Sequence, residues 1–518
     1  MSETRLSPLA NPRFHLPQDI LWYTFYCVVQ PPSVNQMRSI YEHSALNNLR
    51  HLSHVCVSWR ELLLASSSLW GMAIELDKLS QKTCHWRNEV LHRTGNSLLN
   101  IRCHISTESI GGLDQFLKSL LDEHWPRIRN LDIRLTGFST TEGDKFMRGA
   151  ISAFRKPAIN LESFVVNPGI YSDEIFITPT LFADQAPVLQ EFTGLSFRVN
   201  PLRPWFSNLR VLRITCLWTA HELLTTLANM PLLEILEFIE DGDNVAVLDL
   251  PVVGRAQVVL PQLKKLNVHL GVALAKHMAV LERLVPAPGL HFGLTSGELS
   301  HASADLVAVQ RVLGSYLQLS FKDELPHDLQ IIMDGDYTRL YLSKDSRKFT
   351  CELDFDNDVP DMLIFLEPIS FISLENSTKL SININGVALA ATNTALSRIL
   401  LSSTSIKELH ISAYSLQFLL SLSISADTVV SPILELLRLD GPHEVGPVLD
   451  FLSQRYTQEA PIQRLDFSEH QFEGSRDFRP LEQFNGLKVR WTGTGGKTEE
   501  YTCGSGNPQV LDFSQSFS

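Results

Sequence analysis

The stretch WTGTGGKTEE at 491–500 comes nearest to a chemical signature, because a glycine-rich turn ending in Lys-Thr is how a phosphate-binding loop wraps an anion. The full pattern, GxxxxGK[ST], requires glycine where this chain has Trp491. A Gly/Ser-rich stretch follows instead of a helix, so no helix dipole would be aimed at a phosphate. The motif reads as part of a flexible tail. No HExxH, GxSxG or strand-to-helix GxGxxG occurs elsewhere. The seven cysteines, at 27, 56, 84, 103, 216, 351 and 503, are odd in number and scattered, with no CxxC pair. That spacing argues against a disulfide frame or a zinc knuckle and for buried free thiols in a reducing compartment. The 17 histidines and 57 acidic residues show no metal-ligand spacing, and DFDND at 354–358 reads as a solvated turn. The expectation is a chain with no catalytic residues, no cofactor and no metal.

At 518 residues the chain needs several domains or one long array. Its composition is globular, 44% hydrophobic and 19% charged. A net charge of -13 without Lys/Arg clusters argues against nucleic acid, whose phosphates are held by clustered cations. MSETRLSPLANPRFH is too polar for a signal peptide, and no run reaches the roughly 18 apolar residues of a membrane span. The expectation is an intracellular protein, cytoplasmic and/or nuclear, that does not engage membranes.

Two oily segments near the start need positioning. In LPQDILWYTFYCVV, residues 16–29, Pro17 suits a first helical turn, and Leu21, Phe25, Val28 and Val29 recur on one helical face. QPPSVNQ interrupts the pattern. It resumes with Leu49, Leu52, Val55, Cys56, Trp59, Leu62 and Leu63, and SSSLWG closes it. Helices this short bury too little to stand alone, so their apolar surface must be shared.

LPQDILWYTF followed by LRHLSHVCVSWRELLLASSSLWG resembles an F-box, in its Leu-Pro-x-acid-Ile-Leu start, its Val-Cys-x-x-Trp-Arg core and its closing Leu-Trp. The match covers roughly a tenth of the chain and departs from the pattern by about a dozen extra residues around Gln30 to His43. The resemblance implies binding to the Skp-type adaptor of a cullin-RING ubiquitin ligase. It implies an adaptor-binding set of Leu16, Pro17, Ile20, Leu21, Phe25, Val55, Cys56, Trp59, Leu69 and Trp70.

From residue 126 to about 490 an apolar triplet at i, i+3 and i+5 recurs, as in PRIRNLDIRL, SNLRVLRIT, PQLKKLNV, DYTRLYLS, SIKELHIS, PILELLRL and PIQRLDFS. The middle residues Leu409, Leu437 and Leu465 fall at equal intervals of 28, while Leu131, Phe164, Leu212, Leu236 and Leu266 are less evenly spaced. Pro126, Pro187, Pro231, Pro261 and Pro432 precede the strand pattern, as fits a recurring turn. Helical segments such as TAHELLTTLANM and EVGPVLDFLSQRY lie between copies. This resembles irregular leucine-rich repeats without an Asn ladder. It implies an α/β solenoid with a parallel sheet on its concave side and helices outside.

If the triplet points inward, the interleaved side chains line the concave face. These are Arg134, Arg213, Glu237, Lys265, Arg339, Tyr341, His410, Arg438 and Arg464, with Asp132, His269, Asp440 and Asp466 among them. A mixed polar lining suits a protein partner. The expected organisation is a flexible N-terminus (1–13), an F-box-like helical domain (14–75), a helical linker or cap (76–125), the repeat region (126–492) and a flexible tail (493–518). The expected function is substrate recognition within a ubiquitin ligase. The alternative is an interaction protein that holds the adaptor without ubiquitination.

Overall fold

The apolar triplets lie on strands, and in the parallel stretches pairing sets a middle residue level with a buried residue of the next strand. In the computed structural model, residues 16–513 are described apart from 31–43, 168–175, 240–256, 468–476 and some shorter stretches. The chain is mixed α/β, with about fifteen α-helices among the described residues and mostly parallel sheet. It divides into two units, up to Leu209 and from Arg210. Among the described residues no helix is long and apolar enough to cross a membrane.

In the second unit the strands Val211–Thr215, Ile235–Ile239, Lys265–Leu270 and His291–Leu299 pair in parallel. Lys379–Ile384, Glu408–Ser412, Leu436–Asp440, Arg464–Asp466 and Lys488–Thr492 do the same further along. Register carries one row from Leu212 through Leu236 and Leu266 to Phe292, and another from Leu380 through Leu409, Leu437 and Leu465 to Val489. All of these are buried. Their neighbours in sequence point the other way, because strand side chains alternate. Helices such as Ala388–Ser402, Ala413–Ala426 and Gly446–Thr457 connect the strands, as parallel pairing demands.

One stretch of the expected parallel array is different. Asp328–Asp334, Tyr337–Lys344 and Arg347–Phe355 form an antiparallel meander, whose last strand pairs in parallel with His291–Leu299 and whose first pairs in parallel with Lys379–Ile384. DYTRLYLS is therefore the middle of a meander rather than one more strand-helix unit. Its two neighbours lie too close in sequence for a crossover helix, which needs a dozen or more residues. At the second turn Asp345 takes a left-handed backbone, φ 52°, as a two-residue hairpin connection requires.

The first unit begins with helices Gln18–Val29, Ala45–Leu52, Val57–Ala65 and Ser67–Gly71. The expected continuous helical pattern through 49–63 is broken at 53–56. There the Ser53 carbonyl accepts from Arg60 Nε, and Cys56 becomes the residue before the next helix. Strands Ile74–Glu75, Leu99–Ser106, Ile128–Thr136, Ser163–Asn167 and Glu191–Gly194 pair in parallel in that order. Ile74, Ile101, Leu131, Phe164 and Phe192 share one buried row. The segment 76–125 is therefore no purely helical cap, since it supplies the strand Leu99–Ser106 to the sheet.

The expected flexible tail is also corrected. Thr498–Thr502 pairs antiparallel with Lys488–Thr492, and Cys503, Leu511 and Phe513 are buried. Phe513 packs on Phe478 and Trp491, so the residue that spoiled the phosphate-loop pattern is a core side chain. Residues 1–13, most of the extra loop, part of DFDND, Cys216 and the glycines of GGKT lie outside the described residues.

A buried middle residue and its outward neighbour should respond differently to truncation. Leu437→Ala is expected to destabilise the chain by about 2–5 kcal/mol, the usual cost of emptying a packed leucine site. Arg438→Ala, on the half-exposed face, is expected to cost less, about 1–3 kcal/mol, because it removes the guanidinium 3.8 Å from the buried Asp466 carboxylate. Urea unfolding of both variants checks this.

Candidate functional site

The N-terminal helix has two faces of different fate. Phe25 and Val29 are fully buried, and Phe25 meets Trp59 edge-on with ring centroids 4.9 Å apart. That contact joins the Gln18–Val29 helix to Val57–Ala65. On the opposite face Ile20 and Tyr23, three residues apart, are 49% and 62% exposed, and Leu16, just ahead of the cap residue Pro17, is 56% exposed. Cys27 extends the exposed stripe by one more turn. Further along, Val55 in the turn after the second helix and Val57 and Leu64 on the Val57–Ala65 helix are also exposed. Ile20 and Tyr23 are neighbours by their helical spacing, and adjoining bulky apolar side chains on a surface mark a place where another molecule can dock.

The scaffold beneath this stripe is pinned. Buried Glu75, at the end of its short strand, accepts from the Ser44 hydroxyl and, at 2.8 Å, from the Ala45 amide, so it holds the start of the Ala45–Leu52 helix. Ser44 in turn accepts from Asn47 N at 3.2 Å, a normal N-cap bond. Trp70 is fully buried, donates from Nε1 to the Leu63 carbonyl at 2.9 Å and lies under the Arg93 guanidinium, 4.6 Å from its ring. Such fixation limits the ordering that binding would otherwise require.

The ten residues that the sequence nominated for the adaptor therefore divide. Leu16, Pro17, Ile20, Val55 and Cys56 are exposed, and Leu21 and Trp59 are half-buried. Phe25, Leu69 and Trp70 are core residues, correcting their assignment as contact residues: they shape the helices and present no surface. Tyr23, Val57 and Leu64 were missed, although Tyr23 continues the spacing that begins at Leu16 and Ile20. The thiols divide too. Cys103, Cys351 and Cys503 are buried as expected, whereas Cys27, Cys56 and Cys84 are exposed, and all six are free. A hydrogen bond to the Ser58 hydroxyl, 3.2 Å away, holds the Cys56 thiol below its usual range. Burial pushes Cys503 up to about 11.

The outward face of each sheet holds the second set of nominated residues. Arg213 Nε lies 2.8 Å from Glu237 Oε2 and Lys265 Nζ 3.0 Å from Oε1, so one carboxylate is shared by the strands on both sides of it. Asn267 Nδ2 adds a third donor at 3.2 Å. Arg339 meets Glu352 at 3.0 Å, His410 bonds Asp440, and Arg438 lies 3.8 Å from Asp466. In the first unit Arg134 bonds Asp132 at 2.8 Å, with His104 3.2 Å from the same carboxylate. Most of the nominated charges are thus matched across strands. Arg464 has no ion-pair partner among the described residues. Tyr341 sits level with Thr350 on one side and Gln330 on the other.

The electrostatics follow from this pairing. Burial alone would push the Asp132 and Glu237 carboxyls up, but the neighbouring His104 and Arg134, and Arg213 and Lys265, outweigh it and hold both below the usual carboxylate range. Burial lowers His269 and His291, which favours their neutral form beside Lys265. Among the described residues no group of three or more His, Cys, Asp and Glu could hold a metal ion. Against models of known families the chain finds no match, and a search of curated proteins also finds none.

Acid should reveal the shared carboxylate. A carboxylate whose folded-state pKa lies below its unfolded value adds stability that is complete above the unfolded pKa, about 4, and is lost as pH falls through the folded value. Glu237→Gln should therefore lower the urea midpoint at pH 7 and flatten its fall between about pH 5 and pH 3. Equal acid sensitivity in the parent and the variant would show that the carboxylate is not held as described.

Proposed function

We propose that this chain is a substrate receptor of a cullin-RING ubiquitin ligase, with its N-terminal helices docked on a Skp-type adaptor and its sheet region holding a target protein. The observation that carries this reading is the exposed set Leu16, Ile20 and Tyr23, on and just ahead of a helix whose other face is fixed by Phe25 against Trp59. It coincides with the Leu-Pro-x-acid-Ile-Leu start of the F-box resemblance. The parallel rows of the two units suit the leucine-rich-repeat resemblance, and a solenoid is the architecture this reading implies. The contribution to chemistry would be proximity: a rigid arm raises the effective concentration of target lysines near the charged enzyme. A non-ligase scaffold would use the same stripe. The two differ in whether cullin is present in the complex.

Leu16→Asp combined with Ile20→Asp tests the docking face without disturbing the core, since both residues are about half exposed. Each lost anchor should cost about 2 kcal/mol or more of binding, so the double variant should lose co-purification with a Skp-type adaptor while its thermal unfolding stays unchanged. Undiminished co-purification would end the docking reading. Adaptor without cullin in the parent complex would favour the scaffold.

A further inference from the structure

In the second unit the flank of the Gly446–Thr457 helix opens into a cavity of about 340 Å³. Its floor is apolar: Leu452, Ile462 and Leu487 are buried, and Phe484 is half-buried. Its rim carries Tyr456, 65% exposed, with exposed Arg464 and Lys488. Part of the reason for the opening is local. The described part of the next connection carries only a five-residue 3-10 turn, Arg479–Gln483, too short to cover the side of a twelve-residue helix. Gly486 then turns the chain through a left-handed backbone, φ 87°, that a residue with a Cβ adopts with strain.

The charges at this rim break a pattern. On several other strands of the unit cations sit beside anions: Arg213 and Lys265 flank Glu237, Arg339 meets Glu352, and Lys379 meets Glu408, while Lys344 and Arg347 face each other only at a hairpin end. Arg464 and Lys488 instead occupy directly paired positions on adjacent strands. Like charges set opposite each other in a sheet destabilise it. Lys488 has Glu500 on its far side at 3.9 Å, whereas Arg464 has no carboxylate within 4 Å among the described residues. A cost of this kind, at the mouth of an oily cavity, is relieved by an anion that brings an apolar group with it. An arginine fork is built to take a carboxylate.

We propose that this cavity binds a linear peptide segment that lays one bulky apolar side chain on Leu452, Ile462 and Leu487 and sets a carboxylate on Arg464 and Lys488. The cavity admits a side chain or two and excludes a folded domain. The carboxylate is supplied by an Asp or Glu side chain or by a free chain end, which offer the same chemistry. That the peptide belongs to a ligase target rests on the docking reading above; the binding itself does not.

The test uses the full purified chain without adaptor and two arrays of short random peptides, one amidated and one ending in a free carboxylate. Enrichment of Asp or Glu beside Phe, Leu or Ile on the amidated array identifies a side-chain carboxylate. Enrichment of apolar residues at free ends only identifies the terminal one, and either supports the proposal. For the best peptide, Arg464→Glu should weaken binding about tenfold or more, as should replacing its carboxylate by an amide. Arg464→Glu also restores opposite charges across the strands, so the variant should melt at the parent temperature or above it, which separates lost binding from lost folding. Tyr456→Ala should weaken binding without changing the preference for a carboxylate. No carboxylate enrichment on either array, or enrichment that persists in Arg464→Glu, overturns the proposal. Because no adaptor is present, that outcome leaves the docking of the N-terminal helices to stand or fall on its own test.

Discussion

Register between neighbouring strands is the constraint from which the described structure follows. Once Leu212 is level with Leu236 and Leu266, every second residue of those strands is committed to the interior and every other one to the opposite face. A slip by one position would carry Arg213 and Glu237 inward and Leu212 and Leu236 outward. Each buried leucine contributes about 2 kcal/mol relative to exposure, so a slipped strand would lose several such contributions and bury charges at the same time. The energetic gap between the observed register and its nearest competitor is therefore large, even though each strand is short.

The same constraint explains why the outward face is largely self-satisfied. Strands set side by side bring Arg213, Glu237 and Asn267 level, and Ser381, His410, Arg438 and Asp466 level in another run. Half-buried charges in such rows gain from complementary neighbours and lose from like ones, and the row around Glu237 uses its carboxylate on both sides. A polar lining is therefore not the same as a lining free to meet a partner. Charges already matched across strands must give up those bonds before binding anything else. An unmatched one, such as Arg464, has nothing to give up.

Much of the second unit was legible because strand alternation is a local signal. Glu408–Ser412, Leu436–Asp440 and Arg464–Asp466 lie where SIKELHIS, PILELLRL and PIQRLDFS put them. Leu99–Ser106 was passed over, although Leu99, Ile101, Cys103 and Ile105 alternate. The meander was hidden too. DYTRLYLS carries the right apolar spacing, and only the short connection at Asp345 shows that its neighbours lie too close in sequence for a crossover helix. In the tail, Trp491 looked like the defect in a phosphate loop, and its packing on Phe513 depends on a partner 22 positions later that no local pattern announces. Which charges pair was not legible at all. Arg213 and Glu237 are 24 residues apart, Lys265 is 28 beyond Glu237, and both contacts exist only through the register.

The N-terminal helices obey no such register, and their two faces were separable only once Phe25 had a partner. Helical spacing alone groups Leu21, Phe25, Val28 and Val29, but it cannot say whether that face turns toward the chain or away from it. Trp59 and the short strand that carries Glu75 decide the matter by holding Phe25 and the Ala45–Leu52 helix from below. What remains outside is the stripe that begins with Leu16. Burial of the first face fixes the helix, and a fixed helix is what allows the second face to present side chains in one arrangement instead of many. The aromatic and leucine residues most conspicuous in the sequence, Phe25, Leu69 and Trp70, thus act from the inside. The bulky apolar side chains left exposed on these helices and their connections are the less conspicuous Leu16, Ile20, Tyr23, Val55, Val57 and Leu64.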